Sequence, residues 1–334
     1  MLMHPAIIAL FIGSLIVGFM VIYAASHGVE ILRHWNLQSG SELQLRLERR
    51  TYLISTMMAC AFCFQLFSLF LFIFTADNLS HLLVGAMCAA GSLNANAYGY
   101  PAMLFKIINF ILGGVWLIVN YSDNKAIDYP LIKKKYFFLL LIAPCITVEI
   151  LLQGAFFLNL DANVITSCCG SIFSVEGKSA GAVFTSIPVT PMKVAFYSVM
   201  LISAISGVLF YVRGNPVAGI IFSLASIIGF AVSIAALISF ISVYFYQLPT
   251  HHCPFCILQR EYYYVGYVLY LSLSASVVAG ASVGVLMFAR GVESLKEVLP
   301  TVQKRMTLIS LLSQMLFLVV STCPMIFTNF KIEV

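Results

Sequence analysis

The chain has 334 residues, of which 61% are hydrophobic and only 9% are Asp, Glu, Lys or Arg, and its formal net charge is +5. Soluble globular domains keep about a quarter of their residues charged. This composition therefore excludes a water-soluble globule and indicates a membrane protein with several spanning helices.

Apolar runs of about 20 residues or more predict an all-α fold, a polytopic transmembrane bundle of about eight spans. The runs cover about 5–32, 52–76, 101–121, 135–159, 194–212, 216–246, 257–289 and 305–323. The first run follows no Lys or Arg and lacks a small-x-small cleavage site, so we expect it to remain in the protein. The Gly- and Asn-rich stretch 78–100 is too broken to span and predicts an interfacial or re-entrant element.

The cations are concentrated in alternate loops, which indicates the orientation of the chain. Thirteen of the 18 Lys and Arg lie after the first run and between runs 3 and 4, 5 and 6, and 7 and 8. The positive-inside rule assigns these loops to the cytoplasm and places both termini outside. The positive charge is then a topological signal, and no nucleic-acid partner is expected.

The order of short motifs suggests a parallel duplication of four helices, with halves 1–192 and 193–334. In the first half His81 and Cys88 precede Tyr98-Gly99-Tyr100, and in the second His251 and Cys256 precede Val265-Gly266-Tyr267. Chance similarity between apolar segments is the alternative. If the duplication is real, we expect Cys88 to approach Cys168 or Cys169, and Cys253 or Cys256 to approach Cys323.

Six of the nine cysteines fall on the predicted outer side, where thiols can be oxidised. They are Cys88, Cys168, Cys169, Cys253, Cys256 and Cys323. Redox-active disulfides and static structural disulfides both fit this placement, and inert thiols are the third alternative.

The segment Cys253-Pro254-Phe255-Cys256 enters the predicted seventh helix. Cysteines three residues apart can close a small ring, and the free N–H groups at a helix N-terminus lower a thiol pKa. The segment therefore predicts a redox-active cysteine pair.

The longer stretch Cys253-x-x-Cys256-x-x-Gln259-Arg260 resembles the Cys-x-x-Cys-x-x-(Glu/Gln)-Arg motif of the DsbB family of disulfide-forming bacterial membrane proteins, which are related in function to vitamin K epoxide reductases. The resemblance implies an enzyme of the bacterial inner membrane that passes electrons from extracytoplasmic thiol proteins to a quinone. It also implies that Cys253 and Cys256 are the quinone-proximal pair and that Gln259 and Arg260 contact the quinone. The family bundle has four helices, and its second cysteine pair follows the motif, whereas Cys168 and Cys169 precede it here.

Other interpretations of the same residues stay open. His251, His252, Cys253 and Cys256 could bind zinc or copper, or the chain could be a non-enzymatic subunit of a larger electron-transfer complex with structural disulfides. Arg260, one turn inside the predicted helix, could reach the membrane surface, pair with Glu261 or contact a quinone.

Lys106 and Glu149 fall at similar depths in the third and fourth predicted spans. Either charge alone would be costly in hydrocarbon, so we expect an ion pair that joins the two helices, with a polar substrate or proton site as the alternative.

Overall fold

The computed structural model describes residues 3–36, 39–126, 128–161, 166 and 188–330. Among these residues the regular structure is helical and no β-strand occurs. The helices are α1 (Pro5–His34), α2 (Glu42–Ser80), α3 (Ala89–Leu93), α4 (Gly99–Asp123), α5 (Ile132–Leu158), α6 (Val189–Arg213), α7 (Pro216–Ala236), α8 (Ser242–Tyr246), α9 (Val265–Met287) and α10 (Val298–Phe327). A π-helical turn (Leu237–Ile241) joins α7 to α8, and 3₁₀ turns cover Cys256–Leu258, Arg260–Tyr262 and Glu293–Leu295.

Eight helices in the described ranges are long and apolar enough to cross a membrane, with Pro216–Tyr246 counted as one span. Their outward faces carry large apolar side chains, such as Phe19, Leu151 and Val212, that are mostly exposed. In an integral membrane protein these faces contact lipid. The predicted all-α bundle of eight spans is confirmed.

The predicted start of the seventh span is wrong. That helix begins at Val265 and not near residue 257. Gln259 has an extended backbone, and Tyr263 and Tyr264 have φ angles of 53° and 55°. Two consecutive residues in the left-handed region cannot continue a right-handed helix, so the segment before Val265 folds as short turns.

The stretch 78–100, predicted as an interfacial or re-entrant element, contains the short helix α3. All five residues of α3 are buried, and Cys88 immediately before it has an extended backbone with φ −160°. Residues 88–93 therefore lie in the protein interior, whereas Leu82, Val84 and Met87 are exposed.

The chain divides into two compact units. The first comprises Met1–Thr75, Asn96–Leu160 and Phe288–Val302, and the second comprises Ala76–Ala95, Asp161–Met287 and Gln303–Val334. These units do not coincide with the halves 1–192 and 193–334, because 76–95 and 161–192 belong to the second unit and 288–302 belongs to the first. The duplication itself stays a prediction.

In the first unit α5 packs against both α1 and α4. Its apolar core contains Val21, Ile31, Phe62, Trp116 and Tyr136. The rings of Phe62 and Trp116 lie 5.0 Å apart between centroids. Two buried ion pairs also join α4 to α5.

The first ion pair joins Lys106 to Glu149, as the sequence predicts. Lys106 Nζ lies 2.8 Å from Glu149 Oε1, and both side chains are 1% exposed. Glu149 Oε2 also accepts hydrogen bonds from Asn109 (2.6 Å) and from Gln65, while Lys106 donates to Ser68 Oγ at 2.7 Å. The pair is thus surrounded by polar partners that offset the cost of burying charge.

The second ion pair joins Asp123 at the end of α4 to Lys135 in the first turn of α5. Lys135 Nζ lies 2.7 Å from Asp123 Oδ2 and also donates to Asn120 Oδ1 and Ser55 Oγ. Asp123 Oδ1 accepts the Leu131 N–H at 2.8 Å. Lys135 is therefore a buried structural cation.

In the second unit α7 packs against α6 and α9. Phe210, Ala218, Phe222 and Val283 form an apolar core cluster. The π-helical turn lies at the other end of these helices. Its Ile238 carbonyl lies 3.0 Å from His252 Nδ1 and accepts the ring N–H. This contact ties the loop that carries Cys253 and Cys256 to the preceding span.

Candidate functional site

The loop between α8 and α9 carries the Cys-x-x-Cys pair and is held by its backbone carbonyls. Gln247, with φ 54°, ends α8. The Tyr246 hydroxyl donates to the Cys253 carbonyl at 2.6 Å, and the Tyr270 hydroxyl donates to the Pro254 carbonyl at 2.6 Å. The two helices that flank the loop therefore fix the backbone next to the first cysteine.

Gly266 in the first turn of α9 allows the loop to lie directly on the helix. A Cβ at this position would come within 2.8 Å of both the Ile257 carbonyl oxygen and Ile257 Cγ2. Ile257 follows Cys256, so this backbone contact also fixes the second cysteine.

Three sulfur atoms meet at this loop. Cys88 Sγ lies 3.5 Å from Cys253 Sγ, and the sulfurs of Cys88, Cys253 and Cys256 all lie within 4.8 Å of one another. Cys88 and Cys253 are 0% exposed and Cys256 is 6% exposed. A separation of 3.5 Å is contact and not a bond, which measures about 2.05 Å. We refer to these residues as the three-cysteine cluster.

Asp77 and Gln259 join the two chain segments that carry the cluster. Asp77 Oδ1 accepts the Ala89 N–H at 3.1 Å and a Gln259 Nε2–H at 3.3 Å. Gln259 Nε2 also donates to the Met87 carbonyl at 2.9 Å. The residues on both sides of Cys88 are thereby hydrogen-bonded to the loop or to α2, and this holds the Cys88 sulfur beside Cys253.

The imidazole of His251 lies against the Tyr246 ring, with 4.5 Å between ring centroids. Burial lowers the pKa of His251; negative charge on Cys88 opposes the shift, and His252 adds to it. His251 is therefore more readily neutral than an ordinary histidine, which removes the cation that could have favoured a Cys thiolate.

Tyr262 is another loop group whose titration responds to the cluster. Burial raises its pKa, and the negative charges of Cys256 and Glu261 raise it further. Its ring packs on Tyr246 at 4.7 Å. Tyr262 thus stays protonated at neutral pH.

The sequence prediction for the environment of the Cys-x-x-Cys pair needs correction. Cys253 lies in a buried loop and Cys256 begins a 3₁₀ turn, and neither is in the first turn of a long helix, so the helix N-terminus does not stabilise a thiolate of this pair. Arg260 is exposed in the next 3₁₀ turn and not one turn inside a spanning helix. Among the described residues it forms no ion pair with Glu261.

The other predicted site residues have different outcomes. Cys168 and Cys169 lie outside the described residues, so their approach to Cys88 stays a prediction. Cys323 is exposed on α10 and is not part of the three-cysteine cluster. The contact of Cys88 with Cys253 instead joins the two predicted halves, which the pairing based on duplication did not anticipate.

The proposed four-ligand group of His251, His252, Cys253 and Cys256 is not assembled. In the described part of the chain the metal-ligand group contains Cys88 in place of the two histidines. His252 Nδ1 lies beside the Ile238 carbonyl, which can only accept a hydrogen bond. Within the described residues the donor set is therefore three sulfurs.

An apolar groove of about 420 Å³ lies in the second unit beside the loop. Gln247 and Val265, the residues that bound the loop at α8 and α9, line it together with Cys323 of α10. Most of its remaining wall is Val, Phe and Pro. The groove is therefore an apolar surface that suits a lipid-soluble molecule, with the Gln247 side-chain amide at one edge.

Sequence reasoning missed the residues that position the sulfurs, namely Asp77, Tyr246 and Tyr270. One signal was available for Asp77, a carboxylate near the end of an apolar run and eleven residues before Cys88. The tyrosine hydroxyls had no such signal, because their partners are backbone carbonyls in another segment.

No protein-family model, curated protein or solved structure matches the chain. Class and function therefore depend on the fold and on this site. The fold defines an integral membrane protein, with eight apolar helices in the part of the chain that the structure describes.

Proposed function

We propose that the protein is a membrane thiol–disulfide oxidoreductase that passes electrons from extracytoplasmic thiols to a membrane quinone. The observation that carries the proposal is the contact of a third sulfur, Cys88, with one member of the Cys253–Cys256 pair. Disulfide exchange needs a thiolate that can reach a disulfide sulfur, and three sulfurs within 4.8 Å of one another meet this need.

The exchange within the cluster breaks one disulfide bond for each disulfide bond that it forms. When Cys253 and Cys256 form a disulfide, the Cys88 thiolate attacks Cys253 Sγ, a Cys88–Cys253 bond forms, and Cys256 leaves as a thiolate. The reverse attack restores the first disulfide. In the net reaction two substrate thiols lose two electrons and two protons and become a disulfide, and the quinone gains both and becomes the quinol.

A second cysteine pair is needed to meet the substrate, because Cys253 and Cys256 are too buried for contact with a protein thiol. Cys168 and Cys169 are the candidates. Thr166, two residues before Cys168, donates its backbone N–H to the Val84 carbonyl at 2.9 Å. Cys168 and Cys169 themselves lie outside the described residues, so exchange between this pair and the cluster stays a proposal.

The quinone site is proposed at the groove beside the loop. A quinone has an apolar ring and tail and two carbonyl oxygens, which suits a wall of Val and Phe with the Gln247 amide at its edge. Gln259 and Arg260 do not line this groove, so the quinone contacts that the motif implies at these two residues stay a separate prediction. The Gln259 amide nitrogen already donates hydrogen bonds to the Met87 carbonyl and to Asp77 Oδ1. Its first role is therefore to position the cluster.

The proposed membrane is the bacterial inner membrane, with both termini and the cluster on the extracytoplasmic side. The distribution of Lys and Arg supports this orientation. An oxidising compartment on that side would supply the thiol proteins that the reaction consumes.

Quinone reduction by the purified protein tests the proposal. With a short-chain ubiquinone and a reduced dithiol peptide, we expect quinol formation, followed by ultraviolet absorbance, to be lost in Cys253→Ser and Cys256→Ser. Cys145→Ser on α5 is the matched control, since Cys145 lies in the first unit, and it should keep the wild-type rate. Wild-type rates in Cys253→Ser would overturn the proposal and favour a non-enzymatic subunit of a larger complex.

A further inference from the structure

We propose that the three-cysteine cluster, when all three thiols are reduced, binds one soft thiophilic metal ion, Cu(I). The inference goes beyond the redox function and does not depend on it, because it requires only that the reduced state exists. It rests on the spacing of the sulfurs, on the hydrogen bonds that hold their backbones and on the chemistry of the donors.

The sulfur spacing is close to that of a metal-thiolate site. Three sulfurs bound at about 2.3 Å from a common centre lie about 3.8 to 4.0 Å apart, depending on whether the geometry is tetrahedral or trigonal. In the cluster Cys88 and Cys253 are 3.5 Å apart, and no sulfur pair exceeds 4.8 Å. Side-chain movements of less than about 1 Å therefore complete the ligand shell.

The backbone around Cys88 and Cys253 is held before any ion binds. The Ala89 N–H and the Met87 carbonyl, on the two sides of Cys88, bond Asp77 and Gln259. The Cys253 carbonyl accepts the Tyr246 hydroxyl. A site whose ligands are already ordered loses less conformational entropy on binding, which raises its affinity.

The donors select the ion. Thiolates are soft ligands that favour Cu(I) or zinc over magnesium and calcium. Structural zinc sites are almost always four-coordinate, whereas the group found in the described residues offers three sulfurs, a number that Cu(I) accepts. Burial of all three sulfurs also shields a bound Cu(I) ion from water and oxygen.

Metal binding and disulfide formation compete for the same sulfur atoms. A bound ion requires three thiolates, so it blocks the Cys253–Cys256 and Cys88–Cys253 bonds. Binding also displaces the thiol protons, and the apparent affinity should rise with pH.

The test is an anaerobic titration of the reduced, detergent-purified protein with Cu(I) in competition with a coloured Cu(I) chelator, and a parallel titration with Zn²⁺. We expect one Cu(I) of high affinity, a Cu(I) X-ray absorption spectrum with at least three sulfur ligands near 2.3 Å, and weaker binding of Zn²⁺. Asp77→Asn, which weakens support outside the ligand shell, should lower the Cu(I) affinity by about 10- to 100-fold, and Cys88→Ser should lower it further. Cys145→Ser should leave it unchanged.

Thermal unfolding of each metal-free variant separates lost ligation from lost folding. If Cys88→Ser does not fold, Cys253→Ser takes its place in the comparison. Wild-type Cu(I) affinity in a folded cysteine variant, two or fewer sulfur ligands in the spectrum, or tighter binding of Zn²⁺ would each overturn the inference. The quinone assay contains no copper, so failure of the redox function is observed separately.

Discussion

Replacing Gly266 by Ala tests whether the close contact between the cysteine loop and α9 holds the cluster together. The added Cβ would lie 2.8 Å from the Ile257 carbonyl oxygen and 2.9 Å from its carbonyl carbon. The loop backbone would have to move by about 0.6 Å to reach ordinary contact at 3.4 Å. Such overpacking costs about 1–3 kcal/mol, and the better helix propensity of Ala returns at most about 1 kcal/mol. The two effects leave a net loss of about 0–2 kcal/mol of unfolding free energy.

Gly229→Ala is the matched control. Gly229 lies inside α7 in the same unit, and its added Cβ would meet only Val199 Cγ1, at 3.5 Å. That substitution should be neutral or should stabilise the protein by up to about 1 kcal/mol.

Equilibrium unfolding in mixed detergent and SDS micelles measures both variants. Oxidant-induced formation of the Cys88–Cys253 disulfide, quantified by peptide mass spectrometry, reports whether the two sulfurs still meet. We expect a lower crosslinking yield in Gly266→Ala and an unchanged yield in Gly229→Ala. Equal stability and equal yield in the two variants would refute the argument that Gly266 sets the loop position.

Lys106→Met should cost about 3–5 kcal/mol of unfolding free energy, because it leaves the Glu149 carboxylate buried without its cation. The double variant Lys106→Met/Glu149→Gln should recover most of this loss in the same SDS unfolding assay, and a double variant as unstable as the single one would contradict the reasoning. Burial lowers the pKa of His251 below its ordinary 6.5, so the unfolded state binds the proton more readily. The stability that the neutral imidazole contributes is present above pH 6.5 and is lost as the pH falls toward the lower folded value. In thermal unfolding between pH 7.5 and 5, the midpoint of His251→Asn should therefore fall less than that of the wild type, and parallel curves would count against a role for His251. Tyr270→Phe should cost about 1 kcal/mol, since the Pro254 carbonyl loses its donor; a thermal midpoint within error of the wild type would show that another donor replaces the hydroxyl.

The number and order of the spans could be predicted from the sequence because a membrane-spanning helix needs about 20 consecutive apolar residues. The start of α9 could not be predicted in the same way. Residues 257–264 contain four tyrosine or leucine side chains that fit an apolar helix, and only the backbone conformation of Tyr263 and Tyr264 ends it. Left-handed conformations at aromatic residues have no compositional signal.

The candidate site was predicted in part. The Cys-x-x-Cys pair and Cys88 were recognised as chemically important, but Cys88 was assigned to Cys168 or Cys169. Its contact with Cys253 depends on how 76–95 packs within the second unit, and that packing is set by Asp77 and Gln259 over separations of up to 182 residues. Local patterns carry no information about such contacts.

The two buried ion pairs of the first unit have a consequence for how the protein enters the bilayer. Along α4 the charges run from Lys106 to Asp123, and along α5 from Lys135 to Glu149. Each cation therefore faces an anion when the helices lie antiparallel, and a slip of either helix by one turn would separate both pairs. A single helix of this hairpin would carry two uncompensated charges out of the insertion machinery. We expect α4 and α5 to be released into lipid together, with both buried charge pairs already formed.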